Sequence, residues 1–335
     1  MDNERETILS VRDVWIEYTS GKKVIKAVNG VSLDVKKGDC VGIVGESGCG
    51  KSTLIKAIMC LLPKLQTRFP KGEILYKGQD VLKMSDKELR KIRGGEIAMI
   101  FQDPMTALNP TIKVGKQVME MILAHNDVSA QEAERQAKEM FKTVGIAENR
   151  FGEYPHQFSG GMQQRVVIAI ALAGNPSLIL ADEPTTALDV TIQAQVLELM
   201  SGIIKERGAT MILITHNLAV VAETCDHVAV LYGGEIVEYG SRREIFKSPA
   251  HPYTIGLFGA LPDLSKRSDR LKPIAGIMPE PSDLPEGCKF HTRCPYSTAE
   301  CESGEVPEVS LGGTHICRCH HVNASEVTNK VEVMA

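Results

Sequence analysis

Gly45-Glu46-Ser47-Gly48-Cys49-Gly50-Lys51-Ser52-Thr53 follows the apolar run Val41-Gly42-Ile43-Val44 and precedes Leu54-Ile55-Lys56-Ala57-Ile58-Met59, which reads as helix. The order is strand, loop, helix, and the loop meets the spacing G-x-x-x-x-G-K-[ST]. Gly45, Gly48 and Gly50 allow backbone shapes that turn successive N–H groups toward phosphate oxygens, and the helix start adds partial positive charge. Lys51 is placed to reach the β and γ phosphates of a nucleotide, and Ser52 to offer its hydroxyl to Mg²⁺. The loop alone implies a nucleotide-phosphate site and leaves the chemistry open.

Three further segments deliver polar residues from the ends of apolar runs. Ser177-Leu178-Ile179-Leu180-Ala181 reads as a strand buried on both faces of a parallel sheet and ends in Asp182-Glu183. Met211-Ile212-Leu213-Ile214 leads to Thr215-His216, and Ala98-Met99-Ile100-Phe101 leads to Gln102. In an open α/β sheet, ligands bind at the carboxyl ends of the strands, where these residues fall.

With Ser159-Gly160-Gly161-Met162-Gln163-Gln164-Arg165, a glycine-rich turn running into a helix, the set resembles the ATP-binding cassette (ABC) ATPases over roughly residues 6 to 245. The resemblance implies a P-loop α/β core with an antiparallel β subdomain and a helical insert. It implies Mg²⁺ held through Ser52, Gln102 and Asp182, with Glu183 as the base for the attacking water. His216 corresponds to the switch histidine, and Gln102 to the glutamine that senses Mg²⁺ and water. Ser47, Cys49 and Thr53 line the phosphate loop, Tyr18 stands where the family stacks an aromatic on adenine, and Ala187-Leu188-Asp189 resembles the D-loop. In such proteins Ser159, Gly160 and Gly161 serve the nucleotide of a partner subunit. Two positions depart from the commoner pattern, Phe158 in place of Leu and Met162 in place of Gln; the Ser-Gly-Gly core is intact, and activity is expected.

The chain is 335 residues long, 43% hydrophobic, with a formal net charge of −4. That balance gives no reason to expect nucleic-acid binding. Its longest apolar runs, such as Val166 to Ala173, fall short of the ~20 residues a membrane span needs, and Met1 to Glu6 is polar and charged rather than a secretory segment. A cytosolic protein is expected, reaching the membrane only through partners. Along the chain, Ile8 to Val35 alternates as β structure, a helical insert runs from about Asp103 to Gln164, and α/β pattern resumes at Arg165. Within the insert, Ser129 and Glu132 have the spacing of a capping box. Val228 to Tyr232 and Glu235 to Tyr239 read as a hairpin turned at Gly233-Gly234.

Asp103-Pro104-Met105-Thr106-Ala107-Leu108-Asn109-Pro110 and His251-Pro252-Tyr253-Thr254 resemble stretches of ATPase subunits of oligopeptide and dipeptide importers. That branch implies a second homologous ATPase, usually a different chain, two permeases contacting the helical insert, and an extracellular solute-binding protein. The ATPase would sit peripherally on the cytoplasmic face of the membrane. Nickel or another small solute is the alternative cargo within the branch. A soluble ABC factor is the alternative outside it, disfavoured by the single cassette.

Of the nine cysteines, five lie between Cys288 and Cys319 in a Pro- and Gly-rich stretch expected to be irregular. A segment this poor in apolar residues needs a staple, and in a reducing cytosol a metal is the better reading than disulfides. The spacing Cys288-x5-Cys294-x6-Cys301, then Cys317-Arg318-Cys319, suits zinc or iron–sulfur and lacks the C-x2-C pairs of zinc ribbons. The importer branch carries a [4Fe-4S] cluster in this extension, which by resemblance assigns Cys288, Cys294, Cys301 and Cys319 and leaves Cys317 extra. Lys289, Arg293 and Arg318 could offset its negative charge. Cys40, Cys60 and Cys225 read as small core residues, and Cys49 as an oxidisable but non-catalytic thiol. The expected division is therefore 6–245 for the cassette, with its helical insert at 103–164, and 246–335 for the metal-stapled extension.

Overall fold

A computed structural model describes residues 5–21, 23–185, 189–259 and 273–322. Its strands are β1 (Thr7–Ser20), β2 (Lys23–Lys36), β3 (Cys40–Val44), β4 (Thr67–Arg68), β5 (Glu73–Tyr76), β6 (Gln79–Asp80), β7 (Ile97–Ile100), β8 (Leu178–Asp182), β9 (Thr210–Ile214), β10 (His227–Tyr232), β11 (Glu235–Ser241), β12 (Glu308–Gly312) and β13 (His315–Arg318). Its helices are α1 (Lys51–Ile58), α2 (Asp86–Ile92), α3 (Pro104–Ala107), α4 (Val114–His125), α5 (Ala130–Thr143), α6 (Gly160–Ala173), α7 (Val190–Arg207), α8 (Leu218–Thr224), α9 (Arg242–Lys247), α10 (Pro252–Gly259) and α11 (Ala299–Glu302).

The central sheet runs β12-β13-β11-β10-β3-β9-β8-β7. From β10 to β7 its strands are parallel, and every residue of β3, β7, β8 and β9 is buried. Both faces are covered: Cys40 and Val44 pack into one core, Val41 and Ile43 into the other. That two-period split is why these strands read as continuous apolar runs rather than alternating ones. The second core lies beneath an antiparallel sheet, β2-β1-β5-β6 with β4 added on β1, and contains Leu54, Ile55 and Ile58 of α1. The first core lies under the helical insert, where Phe141 of α5 and Val118 of α4 meet Val166 and Ile168 of α6.

The hairpin expected at Gly233-Gly234 is present, with Tyr232 opposite Glu235 and both glycines at positive φ, 55° and 82°, as a two-residue primed turn requires. The capping expectation at α5 is half met. Ser129 Oγ accepts the Glu132 N–H at 3.2 Å, but the Glu132 carboxylate turns to Arg135 and Gln136, where a guanidinium competes successfully for it.

The expectation of an irregular C-terminal extension needs correction. β12 and β13 form a hairpin that joins the central sheet through β13 on β11, pairing Glu238 with Cys317 and Tyr239 with Ile316. Phe290 enters the first core between Tyr232, Tyr253 and His251. A segment with few apolar residues of its own thus gains its burial from the cassette.

Candidate active site

The phosphate loop leaves β3 at Gly45, whose φ of 151° no L side chain adopts comfortably, and enters α1 at Gly50 with φ 105°. A Cβ built at Gly50 would overlap the Ala27 carbonyl oxygen of β2, so space and backbone shape both require glycine. Between them Ser47 and Gly48 are exposed, while Cys49 is turned inward. Cys49 is buried and burial raises its pKa, which corrects the expectation of an oxidisable thiol: its place behind the loop withholds both solvent and thiolate character. Lys51 is 6% exposed, and its Nζ donates to the carbonyls of Gly45 and Glu46 at 2.7 and 2.9 Å. Its ammonium therefore closes the loop from within.

The residues from the other strand ends meet here. Ser52 Oγ donates to Asp182 Oδ1 at 2.8 Å, joining the start of α1 to the end of β8. Asp182 is almost fully buried, and burial raises its pKa against the lowering effect of the Ser52 hydroxyl. Glu183 follows at φ 46°, a conformation uncommon for a non-glycine residue, with its N–H donating to Ile214 O of β9 at 2.9 Å. That turn brings its carboxylate to Gln102 Nε2 at 3.1 Å and His216 Nδ1 at 3.5 Å. Four strands thus contribute to one site at their carboxyl ends. Tyr18 of β1 stands beside it, half-buried, its hydroxyl 3.2 Å from Thr53 Oγ1.

Ser159, Gly160 and Gly161 occupy a different place, the start of α6 in the helical insert. Ser159 and Gly160 are exposed, and the Ser159 side chain makes no capping bond to the helix, which leaves that face directed at solvent. The two unusual residues flanking it share one neighbour. Arg150 lies over the Phe158 ring, 4.2 Å from its centroid, and its Nη1 is 2.9 Å from Met162 Sδ. In Ala187-Leu188-Asp189 only Asp189 is among the described residues; it caps α7 by accepting the Ile192 N–H at 3.0 Å.

The cysteines divide as follows. All nine are free thiols. Cys40 and Cys225 are buried together with sulfurs 3.5 Å apart, and Cys60 is half-buried. Cys288, Cys294, Cys301 and Cys319 line one small cavity with His251 and His291, while Cys317 is absent from that lining and buried at the β13–β11 seam. Burial pushes the Cys288 thiol up to about 11, and the nearby thiols of Cys319, Cys301 and Cys294 add to the shift. Among the described residues, no three His, Cys, Asp or Glu side chains are grouped tightly enough to hold a single metal ion.

Three residues take places here that the sequence reading does not give them, and Arg293, expected to offset cluster charge, is corrected to a partner of Glu46. Arg293 pairs with Glu46 inside the phosphate loop, Tyr253 accepts the Glu46 N–H, and His251 is fully buried beside the thiol cavity. The motif His251-Pro252-Tyr253-Thr254 was the available signal for two of them.

The chain is similar to known proteins over most of its length. The ABC transporter family matches residues 28–186, and the family described as the oligopeptide/dipeptide transporter C-terminal region matches residues 237–301. The dipeptide transport ATP-binding protein DppD of Bacillus subtilis is 47% identical over 94% of each chain. The oligopeptide transport ATP-binding protein OppD of the same organism is 48% identical over 92% of this chain and 87% of its own. Among solved structures, the ATP-binding cassette MJ0796, as a post-hydrolysis dimer bound to ADP and Pi, superposes with a TM-score of 0.64 at 32% identity, covering 70% of this chain and 99% of its own. The fold is that of a P-loop ABC ATPase, an enzyme that hydrolyses ATP with Mg²⁺. This chain belongs to the ABC transporter ATP-binding proteins that carry the oligopeptide/dipeptide transporter C-terminal region.

Proposed function

We propose that this chain is the ATP-hydrolysing subunit of an importer of di- or oligopeptides, seated on the cytoplasmic face of the membrane beneath two permease subunits. The observation that carries this reading is the convergence of Ser52, Gln102, Asp182, Glu183 and His216 on one phosphate loop in a chain that also matches the oligopeptide/dipeptide C-terminal region. Relatives named for dipeptide and oligopeptide transport favour peptides over nickel as cargo.

In this reading the backbone N–H groups of Gly45, Ser47, Gly48, Cys49, Gly50, Lys51, Ser52 and Thr53 receive the phosphates, with Lys51 at the β and γ groups and Tyr18 against adenine. Ser52, Asp182 and Gln102 surround Mg²⁺. Glu183 orients water for attack on the γ-phosphorus and takes its proton as the bond to the β–γ bridging oxygen breaks and ADP leaves. His216 holds the transferring phosphate and the water in line. Ser159, Gly160 and Gly161 would close over the nucleotide of the second, homologous ATPase, for which the exposure of Ser159 and Gly160 at a helix start is suited. A distinct partner chain is the preferred arrangement. Closure on ATP and opening after hydrolysis would move the helical insert at 103–164 against the permeases, with the cassette at 6–245 and the extension at 246–335.

The extension's thiols suit a [4Fe-4S] cluster on Cys288, Cys294, Cys301 and Cys319. A four-iron cluster takes each ligand on a different iron, so it accepts a wider ligand set than the roughly 2.3 Å Zn–S shell of a single zinc ion. The donor set fits in a second respect. His251 Nδ1 accepts the Tyr253 N–H at 3.0 Å, which leaves the proton on a buried Nε2 that has no partner among the described residues and can donate to sulfur. The cluster would staple the extension to the cassette. The experiment is affinity isolation from detergent-solubilised membranes, with Pi release measured on the complex. Recovery of two permeases and a second ATPase is expected; isolation of the chain alone with full ATPase activity would reject the reading.

A further inference from the structure

Three groups from the C-terminal extension converge on the phosphate loop, two of them on one residue. The Glu46 carboxylate receives Arg293 Nη1 at 2.6 Å and Nη2 at 3.1 Å, and the Glu46 N–H donates to Tyr253 Oη at 2.9 Å. Met278 is the neighbour that a Cβ on Gly48 would meet, at 3.2 Å. The third polar group of Glu46, its carbonyl, accepts Lys51 Nζ. Every polar group of this loop residue is therefore engaged, one by the phosphate-binding lysine and the rest by residues more than 200 positions away.

The clamp is itself held rigidly. The Arg293 side chain is only 4% exposed; its Nε donates to Ala275 O at 2.9 Å and its Nη1 also reaches Tyr232 Oη at 3.2 Å. Tyr253 is fully buried, with its ring 4.6 Å from that of Tyr232. A glycine-rich loop that must present its N–H groups to an anion gains affinity when it is ordered before the ligand arrives, because the ordering entropy is not lost on binding. A bidentate arginine–carboxylate pair whose arginine is buried is a directional means of ordering it.

We propose that Arg293 and Tyr253 are positioning residues of the ATP site, holding Glu46 and through it the phosphate loop, so that the extension sets nucleotide affinity as well as packing against the cassette. The inference rests on residues 45–53 being the phosphate site. It makes the link between the thiol cavity and the nucleotide short in sequence: Arg293 immediately precedes Cys294, and Tyr253 lies two residues after His251.

The test measures equilibrium binding of a fluorescent ATP analogue with Mg²⁺ to the full chain, together with KM and kcat for ATP. The variants are Arg293→Gln, Arg293→Lys, Glu46→Gln, Tyr253→Phe and the pair Arg293→Gln/Glu46→Gln, with Lys51→Ala as reference. Arg293→Gln and Glu46→Gln are each expected to raise Kd and KM about tenfold with kcat within about twofold, the signature of lost uniform binding. The double variant should be no worse than the worse single one, since both break the same pair. Arg293→Lys should recover part of the loss and Tyr253→Phe should weaken binding about threefold. Glu46→Gln leaves the extension intact and carries the test where Arg293→Gln folds poorly. Additive losses, or Arg293→Gln and Glu46→Gln within twofold of the parent Kd while Lys51→Ala loses binding, would overturn the proposal. Unchanged binding by Lys51→Ala would instead reject the phosphate-loop reading beneath it.

Discussion

Gln102 Nε2 lies 3.1 Å from Glu183 Oε2, so the end of β7 and the end of β8 share one carboxylate. His216 Nδ1 approaches the same oxygen at 3.5 Å from the end of β9. With Asp182 turned to Ser52, the two adjacent acids have separate partners. Glu183→Gln keeps the shape and removes the carboxylate proposed as the base. Steady-state hydrolysis should fall by about 10²–10³-fold, and an ATP-bound closed dimer should accumulate, visible by size-exclusion chromatography with ATP. Turnover at the parent rate would remove Glu183 from its role.

Gly50 tests the loop's geometry without touching a charged group. Its φ of 105° and the Ala27 carbonyl leave no room for a methyl group. Gly50→Ala should lower the melting temperature and weaken ATP binding by at least about tenfold, because the change strains the first turn of α1. An alanine variant with parent stability and affinity would show that the loop tolerates another conformation.

Glu244 reports on docking of the C-terminal hairpin. Its carboxylate accepts Ser241 N at 2.7 Å, capping α9, and also Thr314 Oγ1 at 2.9 Å from the β12–β13 turn. Burial raises its pKa, but these bonds outweigh burial and hold it below the ordinary glutamate value of 4.5. A depressed folded-state pKa gives stability that is present above 4.5 and lost as pH falls through the folded value. Glu244→Gln should cost about 1 kcal/mol in urea unfolding at pH 7, with the gap closing as the pH falls below the ordinary glutamate value and through the depressed folded one. A gap independent of pH would exclude the charged form as its source.

The proposed cluster predicts a metal inventory. Protein purified without oxygen should carry about four iron and four acid-labile sulfide per chain. Cys319→Ser should lose them and Cys317→Ser should keep them, because only Cys319 lines the cavity. One zinc without sulfide, or loss of iron on changing Cys317, would contradict the ligand set.

How much of this was legible in the sequence depended on whether the signal was local. The phosphate loop was readable because its spacing and its flanking strand and helix are contiguous, and Asp182, His216 and Gln102 because each ends an apolar run buried on both faces. The Gly233-Gly234 hairpin was readable from turn chemistry alone. The hairpin β12–β13 was not: Glu308–Gly312 and His315–Arg318 are short, and polar Glu308, Ser310, His315 and Arg318 interrupt them, so only pairing with β11 makes them strands. Arg293 reads in the sequence as a cation near cysteines, and its partner, Glu46, lies 247 residues earlier in the chain, beyond any periodicity. The glycines of the phosphate loop announce a backbone; nothing local announces what braces it.

ATP hydrolysis at this site is proposed to drive peptide uptake. Its most direct test reconstitutes the chain with its permeases, the second ATPase and a peptide-loaded binding protein in proteoliposomes, following labelled peptide uptake and Pi release together. ATP-dependent accumulation of di- or oligopeptide, abolished by Glu183→Gln in this chain, is the expected result. Accumulation of nickel without peptide, or peptide uptake undiminished by Glu183→Gln, would contradict the account.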